Sequence, residues 1–279
     1  MRIGAVIQAR VSSTRLQAKV LKELPYGSGI RVLEQVIRRA RSSKKLSDVI
    51  VATTTEKEDD ALVNIAQSEG VKYFKGSKED VLSRYYIASK GNDLDIIVRI
   101  TSDCPCVDPE VVDLVLEKHI STEADYTSNT LVRTFPHGLD IEVLNFDTLE
   151  KAYFSAKQDF EREHVCPYIY KSNPQMFKIS SVQAPEELHA PDIRITLDTE
   201  QDYALLCAVF DYLYAKNEFF GTKDIIKLFG DKPWLKAING NVVQKKIFDS
   251  LQQELEEAMR ILDLQELERA RELLAKHLQ

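Results

Sequence analysis

Short apolar runs alternate with helix-periodic segments through the first 120 residues, and this alternation limits the fold more than any other feature of the sequence. The predicted strands cover residues 3–7, 49–52, 71–74 and 96–100. Between them, apolar residues recur every three or four positions, as they do on one face of a helix. Continuous apolar strands joined by helices are typical of βαβ units with a buried parallel sheet. We therefore expect an α/β protein with three layers, in which helices cover both faces of a mostly parallel sheet.

The pattern becomes irregular after residue 121. Strand-like pieces lie among predicted helices, and they cover residues 125–129, 139–144, 177–182 and 193–197. We interpret this part as an insertion that returns to the sheet. Residues 1–243 are thus expected to form one domain.

The last 36 residues, 244–279, contain no Gly or Pro and are rich in Glu, Leu, Arg and Lys. This composition predicts two helices, or one bent helix with a break near Asp263. Such a C-terminal helical extension can pack as a hairpin on its own subunit, or it can form a contact between the two copies of a homodimer. The sequence leaves both alternatives open.

A basic segment follows the first predicted strand. Residues 1–22 contain no acidic side chain, although the whole protein has a net charge of −7. Their five basic residues are Arg2, Arg10, Arg15, Lys19 and Lys22, and hydroxyl groups lie between them at Ser12, Ser13 and Thr14. Ligands of open α/β sheets bind at the carboxyl ends of the strands. A loop with these donors can wrap a diphosphate or triphosphate, and the alternative is an ordinary solvated loop.

Acidic residues follow two other predicted strands. Asp103 comes directly after the fourth strand, and Asp198 ends the strand-like piece at 193–197. Mg²⁺ bound with a phosphate usually takes only one or two protein carboxylates, so the two aspartates together predict a magnesium site. Alone, Asp198 could equally be the N-cap of the following helix. Cys104 and Cys106 do not indicate zinc, because no second cysteine pair is present.

Composition and motifs exclude several classes of protein. The 37 basic residues are outnumbered by 44 acidic ones, which argues against a general nucleic-acid binder. No apolar run approaches the ~20 residues that span a bilayer, and four cysteines in a chain of this length do not form a disulfide framework. Neither the P-loop pattern nor the dinucleotide-binding glycine pattern occurs. We expect a cytoplasmic protein that binds neither nucleic acid nor membrane.

Five motifs occur in the order seen in one known family, and they read IGAVIQARVSSTRLQAKVL, VRITSDCPCVDPEVVD, HGLDIEVLN, REHVCPYIY and IRITLDTEQDYALL. Over residues 2 to about 245 the chain resembles the SpsF-type spore-coat polysaccharide proteins, which are relatives of the cytidylyltransferases that make CMP-Kdo and CMP-sialic acid. The resemblance implies a Rossmann-like nucleotide-diphosphosugar-transferase fold. It also implies Mg²⁺-dependent transfer of a nucleotidyl group from CTP to a small sugar, with release of pyrophosphate, for polysaccharide biosynthesis.

The resemblance also implies roles for individual residues. Arg10, Ser13, Arg15 and Lys19 match the triphosphate-binding loop, to which the neighbouring Ser12 is added. Asp103 and Asp198 match the two metal ligands, and the chain near Ala9 and Thr101 is expected to contact the base. We therefore expect Arg15, Lys19 and Asp103 to carry the catalysis. The acceptor sugar is expected near His137, Gly138, Asp140, Glu142 and His164.

The sequence departs from the family pattern at three places. The loop usually continues Leu-Pro-Gly-Lys, whereas here Gln17 and Ala18 precede Lys19. Ser102 replaces the usual Gly before the metal-binding Asp. Cys104 replaces a Glu of the Kdo-type enzymes, which makes Kdo a less favoured acceptor.

Two rival functions remain at this point. One is a glycosyltransferase that uses a preformed nucleotide sugar, although the only Asp-x-Asp pair, Asp93 and Asp95, precedes the fourth strand. The other is a catalytically degenerate nucleotide-binding or assembly protein, which the departures in the loop would allow.

Overall fold

A seven-stranded sheet organises the larger part of the chain. In the computed structural model, which describes residues 1–242 and 250–277, the strand order is β3-β2-β1-β4-β6-β5-β7. The strands are β1 Ile3–Gln8, β2 Asp48–Thr54, β3 Lys72–Gly76, β4 Ile96–Thr101, β5 Tyr126–Ser128, β6 Glu142–Asn145 and β7 Ile179–Ser181. Strands β1 to β4 pair in parallel, as the sequence predicts. Among the strands of the described residues, only β6 runs antiparallel to its neighbours, β4 and β5.

Eleven α-helices surround or follow the sheet in the described residues. They are α1 Val32–Arg41, α2 Asp60–Ser68, α3 Val81–Lys90, α4 Pro109–Thr122, α5 Phe146–Ser155, α6 Asp159–His164, α7 Glu200–Leu213, α8 Thr222–Asp231, α9 Leu235–Asn239, α10 Leu251–Leu264 and α11 Glu268–His277. None of them is long and apolar enough to cross a membrane.

The alternation of side chains along β1 explains the three layers. Ala5 and Ile7 pack on one face with apolar residues of α1, α2 and α4, whereas Val6 packs on the other face with residues of α3 and α5. Because both faces are covered, the central strands are apolar at nearly every position. The predicted three-layer α/β fold is confirmed.

Hydrogen bonds at two helix starts identify the N-caps. The Asp108 carboxylate accepts a hydrogen bond from the backbone N–H of Glu110, so it caps α4 in front of Pro109. Thr199 caps α7 and exchanges hydrogen bonds with Asp202. Asp198 is therefore not the N-cap, and its carboxylate is available for other partners.

The insertion returns to the sheet as expected, since β5 and β7 lie within two of its four predicted strands and β6 overlaps a third. The fourth prediction, at 193–197, is wrong. Within the described residues, this segment makes a single parallel bridge, between His137 and Arg194. The N–H of His137 donates to the carbonyl of Ile193, and the N–H of Ile195 donates to the carbonyl of His137, each at 2.8 Å. Pairing stops there because the chain turns at Gly138, whose φ is +114°.

Contacts divide the chain into two units, Met1–Val242 and Val243–Gln279. In the second unit α10 and α11 are separate helices that contact each other, and Arg271 forms an ion pair with Asp263 at 2.5 Å. The described part of the extension therefore forms two helices and not one bent helix. Residues 244–249 and 278–279 of the predicted extension lie outside the described residues, and the homodimer remains a prediction.

The close approach at Gly138 gives a stability prediction. A Cβ at this position would lie 2.7 Å from the backbone of Ile195 and Thr196, and the positive φ is unfavourable for any other residue. We expect Gly138→Ala to lower the free energy of unfolding by about 2 kcal/mol or more, measured by urea denaturation. The control is Gly230→Ala in α8, where an added Cβ meets open space. Equal effects of the two substitutions would contradict this account.

Candidate active site

Three segments that are distant in the sequence meet at the carboxyl edge of the sheet. Gln8 and Thr101 are opposite each other at the ends of β1 and β4, so the loops that follow both strands leave from the same place. The third segment is fixed there by a hydrogen bond of 2.8 Å from the N–H of Leu197 to the carbonyl of Asp103. The predicted phosphate loop and the two predicted metal ligands are thereby brought together.

Lys19 lies at the centre of this arrangement. Its Nζ is 2.8 Å from Oδ2 of Asp103 and 2.9 Å from Oδ1 of Asp198. Ala18, directly before it, has a left-handed conformation with φ of 49° and ψ of 33°. The chain thus turns at Ala18 in a conformation typical of glycine, which is the residue that the resemblance leads us to expect here.

Arginines support the Asp198 side of the cluster. Arg15 lies 3.0 Å from Oδ1 of Asp198, and Arg194 donates to Oδ2 of the same carboxylate, also at 3.0 Å. Arg194 further binds both oxygens of Asp202, at 2.9 and 3.0 Å, and this carboxylate is completely buried. Arg194 therefore connects the exposed part of the site to the interior.

The charges of the cluster stabilise one another. Burial by itself would lower the pKa of Lys19, but the carboxylates of Asp103 and Asp198 outweigh it and raise this pKa. Burial would raise the pKa of Asp103, and the opposing effect of the Lys19 ammonium and the Thr101 hydroxyl lowers it to about 2. Lys19 is therefore a cation and Asp103 an anion throughout the neutral range.

The donor set fits a hard divalent cation. Asp103 and Asp198 each direct an oxygen to one point, where the Lys19 ammonium now provides the positive charge. Within the residues that the structure describes, no three His, Cys, Asp or Glu side chains are arranged to hold a metal. Two carboxylates would leave the other positions to phosphate oxygens and water, which is the usual coordination of Mg²⁺. Burial raises the pKa of the neighbouring Cys104 thiol well above its ordinary value, so it does not supply a thiolate.

The other residues of the predicted phosphate loop lie between β1 and Lys19. Ala9 is buried, and its N–H donates to the carbonyl of Ala52 at 3.1 Å. Ser12 and Ser13 are half-buried, and Arg10 is exposed. These positions leave Arg10 accessible to a ligand at the edge of the sheet.

Two of the predicted acceptor residues adjoin the cluster. His137 Nδ1 accepts a hydrogen bond of 3.0 Å from Arg194, whose guanidinium has only donors, so the neutral ring carries its proton on Nε2. Burial lowers the pKa of His137, which favours this neutral form. Asp140 forms a bidentate ion pair with Arg133 at 2.7 and 3.0 Å. Gly138 lies between these two residues.

The other two predicted acceptor residues, Glu142 and His164, lie on β6 and at the end of α6. Glu142 is buried on β6, where Arg99 and Tyr126 bind its two oxygens, so we do not retain it as a sugar ligand. His164 ends α6, which is tied to the start of α3 by an ion pair of 2.6 Å between Arg162 and Asp80.

Sequence reasoning missed Arg194, which contacts the cluster, and the burial of Arg84. Arg194 precedes Asp198 by four residues in the same motif, so it could have been recognised as a partner of that carboxylate. Arg84 is buried in α3, and burial together with the positive charge of Arg10 lowers its pKa. Its surroundings in the sequence are those of an ordinary apolar helix face, which gives no signal that an arginine is buried there.

The α/β sheet with cationic and acidic side chains at its carboxyl edge defines a nucleotidyltransferase-like protein. The chain belongs to the cytidylyltransferase family, whose sequence profile matches residues 5–221. It is 43% identical over 250 residues to an uncharacterised protein of Methanocaldococcus jannaschii, covering 88% of this chain and 97% of that one. It is 35% identical over 210 residues to the spore coat polysaccharide biosynthesis protein SpsF of Bacillus subtilis, covering 74% and 85%.

Solved structures agree with this assignment. A cytidylyltransferase from Leptospira borgpetersenii is 34% identical and superposes with a TM-score of 0.78, covering 88% of this chain and all of that one. A CMP-2-keto-3-deoxy-manno-octonic acid synthetase in complex with CTP has a TM-score of 0.54, covering 77% of this chain and 100% of that one. At 16% identity the second likeness concerns the fold alone. The expected nucleotide-sugar-transferase fold is confirmed.

The two arginines that bind Asp198 differ in what they contribute to stability. Arg194→Met removes the positive charge beside the buried Asp202 carboxylate, and we expect it to lower the free energy of unfolding by about 3 kcal/mol. Arg15→Met removes a half-exposed ion pair and should cost no more than about 1 kcal/mol. Chemical denaturation measures both values. A loss at position 15 as large as that at position 194 would show that this assignment of roles is wrong.

Proposed function

We propose that this protein transfers CMP from CTP to a hydroxyl group of a small sugar and releases pyrophosphate. The observation that carries the proposal is the convergence of Asp103 and Asp198 on Lys19, beside the basic loop. The names of relatives support the chemistry. Besides SpsF, a 3-deoxy-manno-octulosonate cytidylyltransferase of Chloroherpeton thalassium is 31% identical over 127 residues, which is 44% of this chain.

In the proposed reaction, the sugar oxygen attacks the α-phosphorus of CTP in line with the leaving group. The bond from that oxygen to phosphorus forms, the bond from the α-phosphorus to the bridging oxygen breaks, and the hydroxyl proton passes to solvent. Negative charge develops on the α-phosphate and on pyrophosphate. Positioning and electrostatic stabilisation carry most of the catalysis in transfers of this kind.

The residues of the chain divide this work. Arg15 and Lys19 would bind the β- and γ-phosphates and stabilise the departing pyrophosphate, with further contacts from Arg10, Ser12 and Ser13. Asp103 and Asp198 would hold Mg²⁺, which supplies positive charge at the α-phosphate when it is bound. The backbone near Ala9 and Thr101 would contact the cytosine.

The acceptor would lie beside the cluster, near His137, Gly138 and Asp140, while a role of His164 is supported only by the resemblance. A neutral His137 with its proton on Nε2 can donate a hydrogen bond to a sugar oxygen. We do not assign it as general base, because its Nδ1 already accepts a hydrogen bond from Arg194.

The rival functions are not favoured by the structure. Asp95 lies at the opposite edge of the sheet, where its carboxylate accepts a hydrogen bond of 2.6 Å from the N–H of Arg2. The only Asp-x-Asp pair is therefore far from the candidate site, which argues against a glycosyltransferase of that type. The loop makes a left-handed turn at Ala18 and both carboxylates contact Lys19, which argues against a degenerate site.

Removal of one carboxylate tests the proposed chemistry. We expect Asp103→Asn to lower the rate of pyrophosphate release from CTP, Mg²⁺ and a panel of sugars by about 10²-fold or more, because a charged group aimed at the reacting centre is lost. The control is Asp211→Asn, at an exposed position of α7. Equal turnover of Asp103→Asn and the unmodified protein would remove this residue from the mechanism.

Binding of the nucleotide can be tested without an acceptor. CTP with Mg²⁺ at 100 times its Kd is expected to stabilise the fold by about 2.7 kcal/mol, as seen in a thermal-shift experiment. ATP, GTP and UTP at the same concentration serve as comparisons and should shift the transition less. The absence of any shift with CTP would support the degenerate-site alternative.

A further inference from the structure

Every oxygen of the two aspartates already has a cationic or hydrogen-bonding partner within the protein. Lys19 binds Oδ2 of Asp103, and the Thr101 hydroxyl donates to Oδ1 of this carboxylate at 2.5 Å. Oδ1 of Asp198 is bound by Lys19 and Arg15, while Oδ2 accepts from Arg194. The oxygens that a metal ion would use are thus the ones that the ammonium holds.

The charges of the cluster balance before any ligand binds. Its three cations are Lys19, Arg15 and Arg194, and its three anions are the carboxylates of Asp103, Asp198 and Asp202. A divalent cation that entered alone would add two positive charges beside three existing ones. In a partly buried site such repulsion is screened only weakly. Metal binding is therefore opposed as long as Lys19 stays between the aspartates.

A triphosphate group provides the charge that can draw Lys19 away. It brings several negative oxygens to the loop that contains Lys19, and the four-carbon side chain of a lysine is long and flexible. Once Lys19 and its neighbour Arg15 bind phosphate oxygens, one oxygen of Asp103 and one of Asp198 are released together. The carboxylates and the phosphates can then share a cation.

On the basis of the function proposed above, we propose that Lys19 acts as an internal cation that makes metal binding depend on nucleotide binding. In the nucleotide-free protein it neutralises Asp103 and Asp198 and keeps a divalent ion out. When the nucleotide binds, the same ammonium moves to the phosphates, so one side chain serves both states. The nucleoside triphosphate must then bind before the metal or together with it.

Binding of Mn²⁺ alone tests this proposal. Free Mn²⁺ is titrated by electron paramagnetic resonance against the full-length protein without nucleotide. We expect Lys19→Met to bind Mn²⁺ about 10-fold or more tightly than the unmodified protein, within the usual range of coupling between ligands. Lys19→Gln, which keeps a hydrogen-bond donor but no charge, should tighten binding as well.

The matched control is Lys22→Met. Lys22 is three residues further along the chain, and its ammonium lies over the ring of Tyr203, 4.7 Å from the ring centre. This variant should bind Mn²⁺ as weakly as the unmodified protein. Adding Asp103→Asn to Lys19→Met should abolish the gain, which shows that the ion uses this carboxylate. Circular dichroism verifies that each variant is folded.

The outcomes separate this inference from the proposed function. If folded Lys19→Met and Lys19→Gln bind Mn²⁺ no more tightly than the unmodified protein, Lys19 does not keep the metal out and the inference is wrong. The proposed function depends instead on the binding of CTP with Mg²⁺ to the unmodified protein, measured by calorimetry. That measurement can fail or succeed whatever the variants do with Mn²⁺ alone.

Discussion

The ammonium of Lys19 lies between two carboxylates that are 84 and 179 residues away in the sequence, and the site exists only because the fold brings them together. Parallel pairing of β1 and β4 places the loops of Lys19 and Asp103 at one edge. Asp198 is not carried by a strand. It reaches the same edge through the bridge between His137 and Arg194. This bridge requires glycine at position 138, because a Cβ there would collide with the backbone of Ile195 and Thr196.

Features that depend on local sequence could be predicted. The four parallel strands follow from apolar runs of the right length, and Lys19 and Asp103 follow from their positions at strand ends. The strand at 193–197 could not be judged in this way. Its alternating Ile, Thr and Leu residues suit a strand, but in the described part of the chain a single bridge pairs with it. Pairing is a property of the neighbour as well as of the segment.

The surroundings of Glu142 and Arg84 likewise depend on neighbours that are distant in the sequence, so they could not be predicted from it. A glutamate within a family motif resembles a ligand, but the strand register places Glu142 opposite Arg99, which neutralises it inside the sheet. Arg84 stands among apolar residues of α3, and only the packed structure brings it near Arg10. By contrast, the replacement of a loop glycine by Ala18 could have indicated a degenerate site. In the structure Ala18 itself adopts the left-handed conformation, so the loop can make this turn without a glycine.

The most direct test of the account is a crystal structure of the protein with Mn²⁺ and a CTP analogue whose α,β-bridge resists cleavage. Anomalous scattering locates the metal without relying on its coordination. The account predicts an Mn²⁺ ion bound to Asp103 and Asp198, with the ammonium of Lys19 moved onto the β- or γ-phosphate. A nucleotide bound away from the carboxyl edge, or a metal that leaves both aspartates on Lys19, would contradict it.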